Sequence, residues 1–186
     1  MQKSNRIGRN RGKVAERYVC AWLETWTGFR FNRTPSSGAL RWHKDNRVAG
    51  DVVTKQEQHF PFTVEVKMRN DLSLNVNSAG EIREKSTLAS FWKQCVKDAE
   101  RTGKYPMVFC RQLRMPASKF IVLLSLESVD IMHEYYVSTF PQYLGVHSLG
   151  FCAWNSDYLL SLPFTSFREA YEYYTKAFDR STYSNG

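Results

Sequence analysis

The chain has 186 residues, 42% of them hydrophobic and 15% aromatic, which suits one domain with a full apolar core and excludes a disordered polypeptide. Lys and Arg number 26 against 18 Asp and Glu, a net charge of +8 that favours a polyanionic partner, most simply nucleic acid. No apolar run is long enough to span a bilayer and none follows the basic start, so neither a secretion signal nor a membrane anchor is expected.

Residues 1–11 read as a basic arm carrying Arg9 and Arg11. A helix is predicted over 12–26, where Val14, Ala15, Tyr18, Val19, Trp22, Leu23 and Trp26 form one apolar stripe. Lys13 lies on this helix, and Glu16 sits beside the stripe, about 110° from its centre at 100° per residue. Gly28 closes the helix, and "FRFNR" (29–33) alternates as a strand. The stretch 34–50, rich in Pro, Ser, Gly and bases, reads as a long loop of the kind that carries function or is disordered. "DVVTK" (51–55) and "FTVEVKM" (62–68) read as an antiparallel hairpin.

A second helix is predicted over 87–102, with Leu88, Phe91, Trp92, Cys95, Val96 and Ala99 on one face and Lys93, Lys97 and Arg101 on the other. "YPMVFCRQL" (105–113) and "KFIVLLSLE" (119–127) are short, apolar and β-branched, hence buried strands. Strands are also expected at 150–155 and 158–164, followed by a last helix capped by Ser166 and Glu169. Cys20, Cys95, Cys110 and Cys152 are too scattered for a metal knuckle and read as reduced core thiols of a cytosolic protein. His59, His133 and His147 show no ligand spacing, so no zinc site is expected.

The stretch "VEVK" (64–67) puts Glu65 and Lys67 on one strand face and Val64, Val66 and Met68 on the other. Alone, such a triplet is an ordinary surface charge pair. Asp51, fourteen residues upstream at the head of the neighbouring strand, changes its meaning. In the hairpin, Asp51 can face Glu65, and two close carboxylates raise each other's pKa unless a cation sits between them. Mg2+ takes such oxygen ligands and keeps waters, and a neighbouring lysine can orient a water and face a phosphate. That set suits phosphodiester hydrolysis.

Asp51 followed by Glu65-Val66-Lys67 resembles the PD-(D/E)XK nuclease superfamily, with Gly50-Asp51 where the name has Pro-Asp. Gly12-Lys-Val-Ala-Glu16, "FRFNRTPSSGA" and the order of elements over residues 8–125 resemble the archaeal- and phage-type Holliday junction resolvases within it. The resemblance implies an α/β fold: a restriction-endonuclease-like core with a central mixed sheet flanked by helices, over 12–127, and a C-terminal α/β extension, 128–186, packed on the core. It implies Asp51, Glu65 and the Val66 carbonyl as metal ligands, Glu16 as a helix-borne acid of the same site, and Lys67 as the catalytic lysine. Ser37 matches the resolvase loop serine, with Ser36 beside it as an alternative. Arg33 is placed to clamp a phosphate bidentately. Gln94 stands where the superfamily often has a glutamine, although Asp98 replaces the tyrosine four residues on.

Arg41, Trp42, Lys44 and Arg47 interleave bases with an aromatic, as a DNA-contacting flap does, and Arg9, Arg11, Lys13, Arg33 and Arg69 add positive charge. His43 in the same loop is an alternative general base. The resemblance implies Mg2+, with Mn2+ able to substitute, a branched DNA substrate, a homodimer, and a host cytoplasm if the protein is phage-encoded. Another nuclease of the same fold (restriction, repair or phage DNA-degrading) is the alternative, and a non-catalytic DNA-binding protein is the alternative of a different class.

Overall fold

The computed structural model describes residues 2–34, 49–56, 59–135, 144–165, 167–169 and 172. Helix α1 (Gln2–Thr27) leads into β1 (Phe31–Arg33), β2 (Val52–Thr54) and β3 (Phe62–Arg69). Helix α2 (Thr87–Thr102), β4 (Tyr105–Gln112) and β5 (Ile121–Ser125) follow. Then come α3 (Leu126–Tyr135), β6 (Gly145–His147), β7 (Phe151–Asn155) and α4 (Ser156–Ser161). The predicted order α-β-β-β-α-β-β holds from the first helix to β5.

The strands form one seven-stranded mixed sheet in the order β1-β2-β3-β4-β5-β7-β6. Among the described strands, only β3 and β4 pair in parallel, because α2 carries the chain back between them. One face of the sheet packs on α1: Trp22 meets Phe109 edge-on at 5.1 Å, and Trp26 meets Phe164 and Phe167 at 5.0 and 5.1 Å. The other face packs on α2, where Leu88, Phe91, Trp92 and Cys95 cover Val108, Cys110, Leu123 and Phe151. A sheet buried on both faces explains why β4 and β5 read as continuous apolar runs. Helix α2 has the bounds its sequence announces. Ser86 caps its N-terminus by accepting from Ala89 N, and Gly103 at φ +65° closes it by donating to the Ala99 and Glu100 carbonyls. All four cysteines are free and buried, and burial raises their thiol pKa values, to about 11 for Cys20 and about 12 for Cys152.

Three predicted elements depart from the sequence reading, and α3 and β6 were not predicted. The first helix begins at Gln2 rather than 12, so the basic segment is helical and continuous with the core helix. Its Arg, Lys and Gln residues are good helix formers that carry no apolar period. Residues 158–164, predicted as a strand, contain the end of α4 instead. Asn155 accepts from Asp157 N at 2.9 Å and starts a helix there, with Leu159 buried beneath it. The strand expected to reach 127 ends at Ser125, whose Oγ accepts from Ser128 N at 3.1 Å and opens α3. Of the last helix, Phe167 is buried against Trp26 and Phe62, while Ser166 and most of its other predicted positions lie outside the described residues.

Candidate active site

The pairing of β2 with β3 places Asp51 beside Glu65. Val52 is registered with Val64, and Asp51 N donates to Val64 O at 2.8 Å. Asp51 Oδ2 accepts from Val66 N at 2.9 Å, so its carboxylate replaces the next rung of the ladder. Thr34, at the end of β1, holds the same turn from the other side. Its N–H donates to Asp51 O at 2.9 Å and its Oγ1 to Gly50 O at 2.8 Å. Gly50 adopts φ +88°, and a Cβ there would fall 2.4 Å from Val64 O. Proline cannot stand at this position, since its ring holds φ near −65°. That is the physical reason for Gly-Asp in place of Pro-Asp.

Glu65 and Lys67 share the sheet face that packs on α2, as alternation requires. Glu65 is buried, 5% exposed, and its Oε1 accepts from Lys67 Nζ and from Gln94 Nε2, the latter at 2.8 Å. Gln94 is thus brought to the site by α2. Asp98, one turn further along that helix, is close enough for its charge to act on both Asp51 and Glu65. On the α1 side, Glu16 Oε2 forms an ion pair with Arg33 Nε, and both side chains are largely buried, 19% and 24% exposed. The helix-borne acid and the strand-end arginine therefore meet at the end of β1, and the Glu16 charge also reaches Asp51.

Electrostatics mark the two central acids. Burial pushes the Glu65 carboxyl up to about 7, the Asp51 charge adds to the rise, and Lys67 opposes it. Asp51 is raised as well, first by burial, against the Val66 N–H hydrogen bond and Lys67. A buried acid and a half-buried one, both held above their ordinary range, are short of positive charge. Their hard oxygen donors fit a hard divalent cation. Among the described residues, no three His, Cys, Asp or Glu side chains converge on one point.

Other predicted residues are spread around this centre. Arg11 and Lys13 are exposed on α1, and Arg9 stands on the same helix. Arg69, exposed at the end of β3, lies over the Phe91 ring at 5.2 Å. Ser36, Ser37, Arg41, Trp42, His43, Lys44 and Arg47 lie outside the described residues. Thr34 was not singled out from the sequence. Its position directly after the strand-end arginine was the available signal.

A family model described as "Phage putative PDDEXK endonuclease" matches residues 8–147, which contain every residue of this constellation. The chain belongs to this family. The nuclease is also similar to Protein D14 of Escherichia phage T5, at 30% identity over 128 residues, 67% of this chain and 73% of that protein. No solved structure matches it. As a PDDEXK endonuclease it acts on DNA, and nucleases of this class generally use divalent metals. No helix among its described residues is long and apolar enough to cross a membrane.

Proposed function

We propose that the nuclease is a Mg2+-dependent, structure-selective DNA endonuclease, a Holliday junction resolvase that makes paired nicks as a homodimer. The observation that carries this reading is the meeting of Glu16 and Arg33 beside Asp51. That pair adds the helix-borne acid of the resolvase pattern to the superfamily's Asp51, Glu65 and Lys67.

In this reading Asp51, Glu65 and the Val66 carbonyl hold the metal, with Glu16 as a further acid. The Val66 N–H points to the β2 edge of β3, and a residue's N–H and C=O share an edge in a strand, so its carbonyl faces the Asp51 side. When bound, the ion polarises the phosphate and lowers the pKa of an attacking water. The chain's own part is positional. Lys67 reaches the region beside the acids, where its ammonium can hold the water and face the charge that grows on the phosphate. Gln94 holds Glu65 in place through its amide. Water attacks phosphorus and gives up a proton to solvent or a side chain, one phosphorus–oxygen bond to sugar breaks, and the departing oxygen takes up a proton from solvent or a side chain. Mn2+ is expected to substitute for Mg2+.

A second reading, a duplex-cutting phage nuclease of the same fold, is favoured by the continuation of the sheet beyond β5 into β7 and β6. Those strands make a larger body than a minimal resolvase needs. The two readings separate when a labelled four-way junction and a linear duplex of the same sequence are incubated with Mg2+. A resolvase leaves symmetric nicks in opposed junction strands and spares the duplex. Equal cutting of both substrates supports the second reading.

A further inference from the structure

Lys93, Lys97 and Arg101 share one face of α2, and nothing in the site described above uses them. At 100° per residue, Arg101, Lys97 and Lys93 stand about 20°, 60° and 100° around the helix from Gln94. Gln94 itself touches Glu65 at 2.8 Å. The three cations are exposed, so the row begins at the rim of the site and leads away over solvent. Eight residues at 1.5 Å each make it about 12 Å long, which matches three to four base steps at about 3.4 Å per strand.

Helix stability does not account for the row. Lys93 with Lys97, and Lys97 with Arg101, are like-charge pairs four residues apart, and such pairs weaken a helix. Glu100 lies three residues after Lys97, yet neither Lys97 nor Lys93 has an ion-pair partner among the described residues. Arg101 alone has a local role, in the last turn of the helix, where a cation complements the dipole. It is also held on the site side by Asp98, Nη2 to Oδ1 at 3.4 Å.

We propose that Lys93, Lys97 and Arg101 form a DNA-backbone track that binds successive phosphates of the strand leaving the active site past Gln94. The proposal rests on the DNA-nuclease reading and adds to it the path of the substrate.

The test is binding of a fluorescein-labelled four-way junction, and of a duplex of the same sequence, by anisotropy without Mg2+, over a salt series. It compares the wild type, K93Q/K97Q/R101Q, and a charge-matched control, R30Q/K55Q/R168Q, at the end of the sheet remote from Asp51. At about 0.9 per phosphate, the track variant is expected to flatten the slope of log affinity against log salt by about 2 to 3, and to bind at least about tenfold more weakly near 150 mM salt. The control keeps the wild-type slope, and K93R/K97R restores binding. The track variant should melt close to the wild type, because the relief of two like-charge pairs offsets the loss of the Arg101 contacts with Asp98 and the helix dipole. An unchanged slope in the track variant, or an equal loss in the control, overturns the track and leaves the nuclease reading standing. A wild type without DNA affinity overturns both.

Discussion

Gly50 and Val64 approach so closely that any side chain at 50 would lie within 2.4 Å of the Val64 carbonyl oxygen. That approach lets Asp51 reach the Val66 N–H and stand next to Glu65. The position of the Asp51 carboxylate is thus set by a backbone at φ +88° that favours glycine.

Gly50→Ala is therefore expected to lose stability and cleavage together. The left-handed conformation costs an alanine about 1–2 kcal/mol, and the clash is with backbone, which cannot turn aside. A loss of at least about 2 kcal/mol should lower the melting temperature by about 4 °C or more in a chain this size. Calorimetry and a cleavage assay check this, and a variant that keeps both would remove Gly50 from the account.

Stability of the metal-free protein should depend on pH through Glu65. Its carboxyl is raised from 4.5 to about 7 in the fold, so the protonated form is favoured there. The contribution of this group is fully present below about pH 4.5 and is lost as pH rises through about 7. Asp51 acts in the same direction. Saturating Mg2+ selects the ionised acids, so its stabilising effect should be larger at pH 8 than at pH 5.5. Thermal melts of the wild type and Glu65→Gln decide this. The variant should show a flatter pH profile and little response to Mg2+.

Lys67 contacts Glu65, but a protonated ammonium cannot ligate a cation. Lys67→Ala should slow single-turnover cleavage by orders of magnitude while metal affinity, measured by calorimetry, is kept or improved. Lys67→Arg should not restore the rate, because a planar guanidinium sets its donors differently and does not give up a proton. Near wild-type cleavage by Lys67→Ala would reduce the pair to a structural ion pair with no part in catalysis.

Much of this site was legible in the sequence because it rests on short-range rules. Strand alternation fixed the shared face of Glu65 and Lys67, and the hairpin brought Asp51 to Glu65. Helical phase put Glu16 at the edge of the apolar stripe, where it meets Arg33. The contact of Gln94 with Glu65 depends on how α2 lies across β3, which no local pattern specifies, so spacing alone could offer Gln94 only as a candidate. The region after β5 was harder for a physical reason. In 158–164, Leu159, Leu160, Leu162 and Phe164 read as a strand, while the capping side chain of Asn155 makes a helix there. The three-residue β6 exists through its pairing with β7 and carries too little pattern to be read alone.

The most direct measurement is single-turnover cleavage of a labelled four-way junction by the wild type and Asp51→Asn, with Mg2+ and with a chelator. The account expects metal-dependent cleavage by the wild type. It expects less than about one-thousandth of that rate from Asp51→Asn, a transition-state loss of about 4 kcal/mol, with DNA binding kept or strengthened by the removal of a negative charge. An Asp51→Asn protein that cuts at more than a few hundredths of the wild-type rate, or a wild type that cuts equally well in chelator, would contradict it.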